Sequence, residues 1–162
     1  MLILKSILII VVVVVIAALA AGQAGLLKGK PPGQLGVRDG KLRPPSPTPN
    51  SVSSQAALYL EPGQRTYASA EPLALRGSGL QTIAKLKAIV ESMPGAEVVK
   101  SEPDYLYAQY TTRLMKYVDD VEFWYDPAKQ VVQVRSASRL GSRDFGVNRA
   151  RVDAIRLRLA DS

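Results

Sequence analysis

The residues best suited to chemistry lie in two stretches. Asp119, Asp120 and Glu122 interrupt a segment otherwise built from Val, Phe, Trp and Tyr, and the run from Arg135 to Arg151 carries Arg135, Arg139, Arg143, Arg149 and Arg151 among Ser, Gly, Asp144 and Asn148. Carboxylates supply general bases or hard-cation ligands. Planar guanidinium forks and the free N–H groups at a helix start hold carboxylate or phosphate. The candidate ligand-binding set is therefore Asp119, Asp120, Glu122, Arg135, Ser136, Ser138, Arg139, Asp144, Asn148 and Arg151. Two readings of it stand side by side: a site for a small anionic ligand, or a polar network fastening the last helix, with Asp144 and Asn148 as caps or turn residues.

Composition narrows the chemistry. The 162 residues include no His and no Cys, so the chain supplies no imidazole base, thiol nucleophile, zinc finger or disulfide. What remains is carboxylate, hydroxyl, Lys and Arg chemistry. A carboxylate- or metal-dependent hydrolase is the alternative function, but an enzyme is not the favoured expectation. Strand alternation puts Asp120 and Glu122 on one face and Asp119 on the other, which disfavours a compact metal cage. No catalytic residue, metal or cofactor is assigned, and the spacing of a phosphate-binding or dinucleotide-binding glycine loop is missing.

Tyr105, Tyr107, Tyr110, Tyr117, Trp124 and Tyr125 offer either a stacking platform or ordinary strand packing. Residues 59–138 hold nine basic and ten acidic side chains. That balance argues against nucleic acid as a partner.

The elements that must position these residues follow from periodicity. Leu80, Ile83, Leu86, Val90 and Met93 share one side of a helix over 80–93, with Ser78 and Gln81 set for a capping box and Pro94-Gly95 as the stop. The period then changes to two, predicting strands at 96–101, 104–113, 117–125 and 130–138, with an earlier one near 73–76. A four-residue loop over 126–129 would place Asp120 opposite Arg135, Val121 opposite Val134 and Phe123 opposite Val132. A final helix spans 147–160. The fold class expected is α+β: an antiparallel sheet of about four to five strands with two helices packed on one face, preceded by a transmembrane helix.

Residues 1–27 read as that anchor. From 7 to 27, Gln23 is the single strongly polar side chain, and a helix of this length crosses a bilayer core. A cleaved signal fits the same segment, since Ala18-Leu19-Ala20 offers a small-residue cleavage pattern. Residues 28–50, with six Pro, four Gly and five basic side chains against Asp39, read as a tether, either lying on anionic headgroups or simply solvated. Residues 51–162 form the single α+β domain. The net charge of +7 is thus concentrated near the membrane side of the chain. A third functional reading follows, in which the linker and last helix bind an anionic lipid surface.

With these segments assembled, the chain resembles the bacterial and plastid family catalogued as domain of unknown function 1499. The resemblance rests on PTPNSVSS at 47–54, YVDDVEFWYD at 117–126 and VRSASRLGSRDFGVNRARV at 134–152, and covers roughly residues 40–160. It implies a membrane-associated protein and carries no established activity. The family pattern often has two Cys where this chain has Pro45 and Ser51, which implies a disulfide in relatives and an oxidising compartment for them. Lys5 directly before the apolar run also resembles the start of an export signal. The expectation is a protein of the bacterial cytoplasmic membrane, its bilayer contact made through residues 7–27. A strict count of flanking positive charges, Lys5 against Lys28, Lys30, Arg38, Lys41 and Arg43, would put the domain in the cytoplasm. The export-like start places it instead on the extracytoplasmic side, as a binding or envelope-accessory module.

Overall fold

The computed structural model describes residues 1–59 and 61–162, the side chains of Gln64 and Arg65 lying outside that description. Helix α1 (Leu2–Gln23) comes first. It is long and apolar enough to cross a membrane, and its most apolar window is not buried against the rest of the chain. A helix apolar all round and without a protein partner exposes that surface to its surroundings, which suits hydrocarbon.

The body is built on a sheet of β1 (Ser51–Ser53), β2 (Ala96–Ser101), β3 (Tyr105–Thr111), β4 (Val118–Asp126) and β5 (Val131–Ser138), in the order β1-β5-β4-β3-β2 with every pairing antiparallel. Helix α2 (Pro62–Ala68) lies in the connection between β1 and α3 (Gly79–Glu91), and α4 (Val147–Ala160) closes the chain. Helix α3 starts as its sequence dictates: Ser78 Oγ accepts from the Gln81 N–H while Gln81 Oε1 accepts from the Ser78 N–H. Its Ile83, Leu86 and Val90 meet Val152, Ile155 and Leu159 of α4 over Leu106, Val121, Phe123, Val132 and Val134 of the sheet. This is the main core, on one face, and the α+β class holds.

Two details of the sheet differ from expectation. The first is the edge strand, which is Ser51–Ser53 paired to β5, whereas the 73–76 stretch contributes an isolated bridge from Leu73 to Val132. Val134, the next residue of β5 that could extend that bridge, is already bonded to Ser54 through both its carbonyl and its N–H. The second is the β4–β5 register. Glu122, not Asp120, faces Arg135; Val121 faces Ser136, Phe123 faces Val134, and Asp120 faces Ala137. The turn occupies 127–130 because Asp126 stays in the strand and its Oδ1 accepts the N–H groups of Ala128 and Lys129. An Asp at this place shapes the turn, and moving the loop by one residue moves every cross-strand partner by two while leaving each side chain on its face.

The second sheet face is covered too. Leu42 is buried with Tyr105, Tyr107 and Trp124, and Leu35 and Val37 pack beside them. The Pro- and Gly-rich segment, expected to lie on headgroups or to be solvated, is laid against the sheet over this part of its length. Its backbone is bonded there: Leu42 N–H donates to Gln55 Oε1 at 2.8 Å, and Gly36 N–H donates to Glu122 Oε1 at 2.7 Å.

Candidate functional site

The pleat of β4 and β5 divides the ten candidate residues between two networks on opposite faces. Beneath α4 lie Asp119, Ser136, Ser138, Asp144, Asn148 and Arg151. Under the Pro-rich segment lie Asp120, Glu122, Arg135 and Arg139. Ser138 reaches both, since it also borders a cavity lined by Asp120, Arg135 and Arg139.

On the helix side, Arg151 Nη2 meets Asp119 Oδ2 at 2.5 Å with both side chains under a tenth exposed. The other guanidinium nitrogen donates to Ser136 Oγ at 3.0 Å and Asn148 Oδ1 at 2.7 Å. Its plane lies 4.5 Å from the Tyr110 ring centre. Burial pushes the Tyr110 hydroxyl up to about 12, against the pull of Arg151. Asn148 is wholly buried and donates to the Asn50 carbonyl, Ser138 Oγ and Asp144 Oδ2. Asp144 also accepts the N–H groups of Gly146 and Asn148. Burial raises its carboxyl, but these N–H donors outweigh burial and hold it below the ordinary carboxylate value. Helix α4 is thereby capped from outside itself, since Gly146 at its N-cap has no side chain. Among the described residues, no buried side-chain donor of this network lacks a partner, which is what a fastening requires.

The opposite network is less complete. Arg139 grips Asp120 with two parallel bonds, Nε to Oδ2 at 2.8 Å and Nη2 to Oδ1 at 2.7 Å. Tyr107 donates its hydroxyl to the same Oδ1 at 2.6 Å. Two residues along, Glu122 Oε1 accepts from Gly36 N–H and from the Tyr105 hydroxyl at 2.8 Å. Its other oxygen stands 3.6 Å from Arg135 Nη1, and both atoms are buried without a hydrogen-bond partner. Arg135 is held by Nε donating to the Pro44 carbonyl at 3.2 Å. Burial raises the Glu122 carboxyl in spite of Gly36 and Arg135, and burial lowers Arg135, with Arg43 adding repulsion.

Beside this pair opens a cavity of about 330 Å³ between the sheet and the Pro-rich segment, lined among others by Lys30, Arg43, Arg135, Arg139 and Asp120. The sequence indicated Asp120, Arg135, Ser138 and Arg139, all of which line it. It did not indicate that Lys30 and Arg43, read as linker charges, would converge on them. Tyr105 and Tyr107 were also missed as hydroxyl partners, although their alternation on β3 puts them on the carboxylate face. Among the described residues, no cluster of three metal-ligating side chains forms. Asp119 and Asp120 point to opposite faces, so a carboxylate dyad is not assembled from them.

The architecture defines a small α+β domain carried on an apolar amino-terminal helix, which suggests membrane anchoring or a signal sequence. A family model described as "Protein of unknown function (DUF1499)" matches residues 41–159, and the chain belongs to that family. Comparisons with curated proteins and with solved structures found no match. In the places where the family resemblance implies two Cys, Pro45 is buried and Ser51 Oγ accepts the Ser46 N–H at 2.7 Å. A hydrogen bond thus ties the two ends of that short segment.

Proposed function

We propose that the protein is a membrane-anchored module that binds a small anion between the sheet and residues 30–50. The observation that carries this reading is the charge of the cavity. Lys30, Arg43, Arg135 and Arg139 all line it; Asp120 is already matched by Arg139, and Glu122 meets Arg135 without a hydrogen bond. Positive charge gathered in a partly desolvated recess, with one guanidinium nitrogen unpartnered, favours an anionic oxygen ligand such as a carboxylate or phosphate group. Lys5 before the apolar run supports placing this site on the extracytoplasmic side of a bacterial cytoplasmic membrane, as an envelope-accessory module.

Calorimetric titration of the full chain in detergent with inorganic phosphate, at constant ionic strength, tests it. Saturable binding that weakens roughly tenfold in Arg43→Ser and in Lys30→Ser is expected, the loss of about one charge-assisted contact. Both residues are exposed, so folding survives the change. Binding that is absent, or indifferent to both substitutions, overturns the proposal.

A further inference from the structure

Helix α1 is not joined to the domain by a free hinge. Gly22 is buried at its end, where an added Cβ would meet the Met115 carbonyl oxygen at 2.7 Å. Gln23 Nε2 donates to the Leu114 carbonyl at 2.8 Å. The β3–β4 hairpin is therefore docked on the last turn of α1, and the domain end bearing that hairpin is the one nearest any membrane that α1 crosses. This end is unusually apolar for an exposed surface. Phe145 is 95% exposed, Leu26 74%, Leu114 63%, and Leu140, Tyr117 and Val147 between 40% and 48%. Leu27, Tyr117, Leu140, Phe145 and Val147 border one recess of about 440 Å³. An apolar patch of this kind marks an interaction surface. The charges on the three segments that compose it, residues 24–30, 112–117 and 140–147, are Lys28, Lys30, Arg113, Lys116 and Arg143 against Asp144, and Asp144 is spent on capping α4.

From this placement we infer that the domain itself touches the bilayer: the end face around Phe145, Leu140 and Leu114 sits in the headgroup layer beside the exit of α1. Apolar side chains ringed by cations fit the interface of an anionic leaflet, with the apolar tips below the headgroups and the charges among them. The patch continues directly from the lipid-facing surface of α1, and that continuity favours lipid over a protein as its occupant. The inference rests on α1 being retained in the membrane; of its charges it shares only Lys30 with the anion site, on which it does not depend.

The chain has no Cys, so single-Cys variants can be labelled cleanly with an environment-sensitive fluorophore. Phe145→Cys and Leu114→Cys report the proposed contact. Leu157→Cys is the reference, exposed on α4 and ten residues, about 15 Å of helix, beyond Val147. The full chain is reconstituted into vesicles of phosphatidylcholine with phosphatidylglycerol and recovered by flotation. Blue-shifted emission, quenched by lipids spin-labelled near the headgroup, is expected at 145 and 114 and not at 157. Floating protein whose three labels are equally aqueous overturns the contact and leaves the anchor standing. Protein that fails to float overturns both.

Discussion

Glu122 and Arg135 face each other directly across β4 and β5, yet Glu122 Oε2 and Arg135 Nη1 stand 3.6 Å apart with no hydrogen bond between them. A buried pair in this geometry recovers little of its desolvation cost. Burial raises the Glu122 carboxyl above its ordinary value of 4.5, so the folded chain keeps that proton to higher pH than the unfolded chain. The stability of the parent relative to Glu122→Gln should therefore be unchanged below that value and fall as pH rises from it towards the folded value. Urea denaturation of both proteins across that interval checks the sign. The same variant should bind phosphate more tightly, because one competing negative charge has left Arg135.

Arg151 and Asp119 make the opposite case, short and fully engaged. Arg151→Met leaves Asp119 buried without a counter-charge and should cost about 3–5 kcal/mol, whereas pairing it with Asp119→Leu should recover much of that loss. Urea midpoints of the two single variants and the double measure the coupling. Additive losses would show that the pair does not act as a unit.

Asp144 gives an acid-dependent contribution. Its carboxyl lies below the ordinary value of 3.8 when folded, so its stabilisation is present above that value and is lost as pH falls through the folded one. Asp144→Ala should cost about 1 kcal/mol at neutral pH, as the loss of a helix cap does, and should flatten the acid limb of the stability profile. Hydrogen exchange should show the gain in opening confined to the first turn of α4.

Gly22 is the seat of the β3–β4 hairpin on α1. Gly22→Leu should lift the hairpin away while leaving the sheet core intact. Trypsin cleavage after Arg113 and Lys116 should then accelerate several-fold, with no change in the urea midpoint of the domain. A lowered midpoint would mean that the contact holds up the fold itself.

Much of this architecture is legible in the sequence wherever one physical rule acts alone. Ser78 and Gln81 mark the start of α3 because a capping box has fixed spacing. The faces of Asp119, Asp120 and Glu122 follow from the two-residue period of a strand. The register was not legible, since it depends on Asp126 choosing to accept Ala128 and Lys129 N–H groups within the strand end. Nor was the cover over the second face. Leu35, Val37 and Leu42 follow neither a helical nor a strand period, and only the sheet of Tyr105, Tyr107 and Trp124 gives them something to cover. Of the candidate residues, Asp119, Asp120, Glu122, Arg135, Ser136 and Asn148 are buried, and the division of the set between two networks required knowing what each face of the sheet would meet.

That cover changes what kind of neighbour the protein can have. A loose strand of about 23 residues would let its cargo wander roughly 25 Å from its mooring; one pressed onto the sheet, with Gly36 and Leu42 bonded by their own backbones, holds the cargo at a set height. A ligand of the proposed basic cavity would bind between that segment and the sheet, at the same set distance from the end of α1.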